Sequence, residues 1–71
     1  MEHLFEVHVV NSKAKIIHIW IVHSLDALSA EGILRVLDKD AREEGDEPII
    51  PDGCHLVTGP LEMENGVEQI I

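Results

Sequence analysis

One stretch of this chain, Ser24 to Gly45, repeats its apolar residues with the period of a helix, and the remaining segments must be arranged around it. At about 100° per residue, Ala27, Ala30, Ile33, Leu34, Leu37 and Ala41 fall within an arc of roughly 120°, the width of a core-facing stripe. Ser24 is the candidate N-cap, with Asp26 in the first turn, where a carboxylate complements the helix dipole. Gly45 stands where a C′ residue belongs, and Pro48 follows it. The flank carries Glu31, Arg35, Asp38 and Arg42 at spacings that allow i,i+4 ion pairs. A lone amphipathic helix needs a partner layer for its stripe, and the flanking segments supply strands.

Leu4–Val10 and Lys15–His23 are rich in β-branched residues and are separated by the polar turn Asn11-Ser12-Lys13-Ala14, which reads as a hairpin. Alternation places Phe5, Val7 and Val9 on one face of the first strand. In the second strand Ile17, Ile19 and Ile21 share one face, and Ile16, His18, Trp20 and Val22 the other. Pairing the two most apolar faces sets Val7 opposite Ile17 or Ile19, which requires a loop of three or five residues. After the helix, Asp46–Gly53 is a connector, with Ile49 and Ile50 expected to plug the open end of the core and Pro51-Asp52-Gly53 marking a turn. Cys54–Thr58 reads as a third strand, with Gly59-Pro60 interrupting it as a bulge, bend or edge. Leu61–Glu64 and Val67–Ile71 flank Asn65-Gly66, a strong hairpin signal. The expected fold is α+β: ββαββ, one helix on an antiparallel sheet, in a single domain over residues 1–71.

With 71 residues the core is modest, and support from a partner subunit is expected. Fourteen acidic residues against five basic give a net charge of −9, which argues against direct binding to nucleic acid or an anionic membrane. Met1-Glu2-His3-Leu4-Phe5-Glu6 lacks the basic start of a signal peptide, and the apolar run Ile16–Val22 is far short of a membrane span. A lone Cys54 excludes an internal disulfide framework. A cytoplasmic location is expected.

Few residues offer chemistry. Five histidines raise the possibility of a metal site, and His8 and His18 are expected to share one sheet face; His3 and His23 fall on the other, and His55 on another strand. Half-exposed strand histidines are the simpler account, so no metal or cofactor is expected. Cys54 and His55 point to opposite faces of a strand, which disfavours a thiol–imidazole dyad. Asp38-Lys39-Asp40-Ala41-Arg42-Glu43 begins like a calcium loop, yet Arg42 takes a ligand position and Glu43 the glycine position. No phosphate loop or nucleophile motif occurs, and no catalytic residues are assigned.

Surfaces say more than sites. The second strand is apolar on both faces, so Ile16, His18, Trp20 and Val22 are candidate self-association residues, with Leu61, Met63 and Ile70 as an internal cover in the alternative. Leu25, Leu28, Gly32 and Val36 form a minor helix stripe opposite the main one and are the second candidate. Asp38, Asp40, Glu43, Glu44, Asp46 and Glu47, joined by Glu62 and Glu64, form a candidate acidic ridge for a partner. In size, charge and element order the chain resembles small acidic accessory proteins of phages and mobile elements, including inhibitors that occupy the basic cleft of a nucleic-acid-binding protein. No motif carries that resemblance, and it transfers no residue. The expected function is a non-catalytic, self-associating (first as a homodimer) protein-interaction or regulatory protein. The alternatives are a metal-binding domain using strand histidines and a structural subunit of a larger assembly.

Overall fold

The computed structural model describes residues 3–60. The elements are β1 (His3–Val10), β2 (Ile16–Ser24), α1 (Ala27–Glu43) and β3 (His55–Pro60). The three strands form an antiparallel sheet in the order β2-β1-β3, and α1 lies against one face of it, giving an α+β architecture. The expected final hairpin, Leu61–Glu64 and Val67–Ile71, lies outside the described residues.

The β1–β2 loop has the odd length the sequence implies. The Asn11 amide donates to the Lys15 carbonyl at 2.9 Å, which leaves Ser12, Lys13 and Ala14 as the loop. The Asn11 side-chain oxygen accepts from the amides of Lys13 and Lys15, and Ala14 takes the left-handed conformation (φ 63°) that closes a three-residue hairpin. The register beyond it does not follow the expectation. Val10 pairs with Ile16 but Val9 pairs with His18, so Ile17 is an extra residue on β2. That bulge inverts every later side chain. Val7 therefore faces Trp20, not Ile17 or Ile19, and Phe5 faces Val22.

The helix consequently packs on the Trp20–Val22 face. Val7, Val22, Ala30 and Leu34 are fully buried, ringed by Phe5, Trp20, Ile33, Leu37, Ile49 and Leu56. Ala30, Ile33, Leu34 and Leu37 face the sheet as their spacing predicts, and Ile49 closes the core's edge. On the opposite sheet face Ile21 is only 2% exposed and Val10 is also buried, whereas Ile16, opposite Val10, is exposed.

Both helix ends are closed by local hydrogen bonds. The N-cap is Asp26, whose Oδ1 accepts from the Ser29 amide at 2.7 Å, and not Ser24, which ends β2 as a buried residue. Strand pairing claims Ser24 (opposite His3) and delays the helix by one turn's half. At the other end the Gly45 amide donates to the Arg42 carbonyl and the Asp46 amide to the Ala41 carbonyl, a Schellman closure with Gly45 at φ 80°. Pro51–Cys54 forms the expected turn, with Gly53 at φ 85°. β3 runs through Gly59 to Pro60 without a bulge or bend; of the expected alternatives the edge holds, since among the described residues β3 is an edge strand, where a proline is tolerated.

Candidate functional site: the outer face and the acidic end of the helix

The candidate residues from the sequence divide once the register is known. Val22 is fully buried under α1 and Trp20 is half-buried against the same core, so neither is available for self-association. The bulge at Ile17 is the reason, because it turns them inward. His18 lies beside Trp20, with ring centroids 4.9 Å apart, and Ile16 alone of that set is exposed. His8 and His18 also separate: His8 pairs with Ile19, His18 pairs with Val9, and the two rings fall on opposite sheet faces. His8 Nε2 meets the Glu6 carboxylate at 2.8 Å. Among the described residues no three His, Cys, Asp or Glu side chains come close enough to hold a metal ion.

The second stripe keeps its character. Leu25, Leu28 and Val36 are 64%, 77% and 60% exposed, and a Cβ added at Gly32 would meet no atom within 4 Å. Leu28 and Val36 lie on the side of α1 away from the sheet, and Leu25 stands just before the helix, ahead of the Asp26 cap. The main stripe is satisfied by the core, so nothing within the described residues accounts for the exposure of these large apolar side chains.

The acidic residues at the helix end also divide. Asp38 is turned inward and holds the connector: its Oδ1 accepts from the Ile50 amide at 2.8 Å and its Oδ2 from Arg42 Nε at 2.9 Å. Arg42 Nη2 donates onward to the Ile50 carbonyl at 2.8 Å and the Asp52 carboxylate at 3.2 Å. The Ile50 amide first, with Arg42 behind it, holds the Asp38 carboxyl below its ordinary value, and Asp38 in turn raises Arg42. Asp38 is thus a structural clamp, not a free ridge charge. Asp40, Glu43, Glu44, Asp46 and Glu47 are all exposed. Glu62 and Glu64 lie outside the described residues. Along the helix flank Glu31 is engaged twice, by Arg35 at 3.3 Å and by the Thr58 hydroxyl at 2.6 Å, which ties α1 to β3.

A feature the sequence did not suggest is a concavity of about 310 Å³ beside the connector, lined by Val9, Ile17, His18, Trp20, Glu47, Pro48, Ile49 and Pro51. It exists because the bulge displaces Ile17 while Pro48 and Pro51 hold the connector off the strand. The Trp20 Nε1–H is buried, with no hydrogen-bond partner among the described residues. The lining holds no Ser, Thr, Cys or Lys side chain; its titratable groups are His18 and Glu47, and Cys54 and His55 lie elsewhere, half-buried and exposed respectively. No β-bulge can be read from residue types alone, so no sequence signal marked this concavity.

No protein family, curated protein or solved structure compared with the chain gives a match. Among the described residues no helix is long and apolar enough to cross a membrane.

Proposed function

We propose that this is a non-catalytic protein-interaction protein that self-associates through the outer side of α1 and presents the exposed acids of the helix end to a basic partner. The observation that carries the reading is the exposure of Leu28 and Val36 on one side of α1, with Leu25 exposed just before the helix. Scattered single apolar residues on a surface need no explanation, but a contiguous set on one helix face marks a contact surface. The acids Asp40, Glu43, Glu44, Asp46 and Glu47 begin where that stripe ends. A ridge of this sign suits a protein with a basic cleft, and electrostatic steering makes such an encounter fast and sensitive to salt. Occupation of a nucleic-acid-binding protein's cleft is the partner class this charge favours.

Sedimentation equilibrium over a wide concentration range tests the first half: the mass should rise from 7.9 kDa toward twice that value. A monomer at every concentration removes the self-association. For the second half, capture of a basic protein should be lost in high salt and in a variant with Asp40, Glu43, Glu44 and Glu47 changed to lysine. Retention by that variant would reduce the acids to solubility devices.

A further inference from the structure

We infer that the partner on the outer side of α1 is a second copy of the same helix, packed antiparallel across a two-fold axis that passes at Gly32. This rests on the self-association proposed above and specifies its geometry. Three observations carry it: the symmetric spacing of the exposed residues, the open space at Gly32, and the distribution of charge.

In an antiparallel pair centred on residue 32, positions whose numbers sum to 64 face each other. Leu28 then meets Val36 of the second copy, and Val36 meets its Leu28, so each of the two exposed positions finds an apolar counterpart. Gly32 meets itself. Helix axes normally pack 8 to 10 Å apart, depending on the side chains at the crossing, and a glycine there permits the near end, roughly 8 Å. The Gly32 position is open in this chain, so the approach displaces nothing. A glycine in a helix interior is less favourable than alanine, a cost that a close approach at the crossing offsets.

Charge selects a second copy and an antiparallel one. The chain carries fourteen acids against five basic residues, so most of its surface repels a twin. The outer side of α1 is the exception: within about 60° of Gly32 on a 100° helical wheel the charged residues are Arg35, Lys39 and Glu43. Arg35 is already steadied by Glu31. A parallel arrangement would stack Lys39 on Lys39 and Glu43 on Glu43, with Asp40 and Glu44 close by. The antiparallel arrangement opposes the helix dipoles and carries each acidic end past the other copy's helix N-terminus. Like-charge contacts across an interface are the main way an association is rejected, and here they are avoided in one orientation only.

The experiment uses the full chain and compares sedimentation mass for wild type, Leu28→Glu, Val36→Lys and the double variant, with far-UV circular dichroism to show that each is folded. Leu28 and Val36, the two positions changed, are exposed, so folding is retained. Each single substitution should weaken the dimer at least tenfold, about 1.4 kcal/mol. The double variant should recover it, because the new carboxylate and ammonium face each other across the axis twice. In a Cys54→Ala background, Gly32→Cys should form a disulfide-linked dimer on mild oxidation. A wild type without dimer overturns the self-association itself, and a Leu28→Glu dimer of unchanged strength overturns the outer side of α1 as its surface. Loss in the single variants without recovery in the double, and no cross-link at position 32, overturns the antiparallel geometry while leaving the surface intact.

Discussion

The two sides of α1 carry similar numbers of leucines and valines and yet differ completely in what surrounds them. On the inner side Ala30 and Leu34 are fully buried against Val7 and Val22; on the outer side Leu28 and Val36 stand in solvent. The difference teaches that one helix can carry two apolar stripes of which the fold uses only one, and the unused one is the basis of the proposed self-association. The inner stripe was needed to close the sheet. The outer stripe has no such role, which is why it carries the functional proposal.

The strongest way to break that comparison is a matched pair of truncations. Leu34→Ala should destabilise the protein by about 2 to 5 kcal/mol in urea unfolding, since it removes buried atoms and leaves a cavity. Leu28→Ala, measured at low concentration, should stay within about 0.5 kcal/mol of wild type. Equal losses would mean that the two sides are not distinct. Next in size, Asp38→Ala should cost about 1 to 2 kcal/mol, because the Ile50 amide loses its acceptor and Arg42 its nearest carboxylate. That variant should also loosen the connector, seen as faster amide exchange at Ile50.

The glycines sharpen the contrast further. Gly45→Ala should destabilise by about 1 kcal/mol, because φ 80° is a left-handed conformation that a Cβ disfavours. Gly32→Ala should stabilise the monomer by roughly 0.5 to 1 kcal/mol, because the position is helical and open. Opposite signs at two glycines of one helix end and interior would be hard to obtain from any other arrangement. The smallest effect is in pH. Asp26, held by the Ser29 amide and hydroxyl, and Asp38, held chiefly by the Ile50 amide, both titrate below their usual value of 3.8. A depressed pKa in the folded state contributes stability that is fully present above the unfolded value and is lost as pH falls through the folded one. Stability should therefore hold down to about pH 4 and decline below it. Asp38→Asn should show a shallower decline in its urea midpoint over that range.

How much of this was legible in the sequence depends on how local each signal is. The helix, its inner stripe, the Gly45 closure and the ion pairs of Arg35 and Arg42 follow from residues within a few positions of one another, and all are present. The odd hairpin loop is local too. The register of β1 on β2 is not, because one extra residue at Ile17 has no compositional mark, and it reverses the assignment of Trp20, Val22 and the His8–His18 pair. The N-cap moved from Ser24 to Asp26 for a related reason: the strand competes for Ser24, and only the sheet decides how far the strand runs. Of the candidate surface residues, Leu28 and Val36 and the acids Asp40 and Glu43 are exposed where the helix's own periodicity puts them, whereas Leu25 falls before the Asp26 cap.

The bulge has a further consequence for behaviour in concentrated solution. β2 runs for nine residues without one charged side chain or proline, and among the described residues it lies at the edge of the sheet. Flat, uncharged edges of that kind recruit strands from neighbouring molecules. Natural sheets guard such edges with lysines, prolines or local irregularities, and here Ile17 is the one guard of those kinds on the strand. Resistance to fibril growth therefore depends on a single misaligned isoleucine as well as on the net charge of −9.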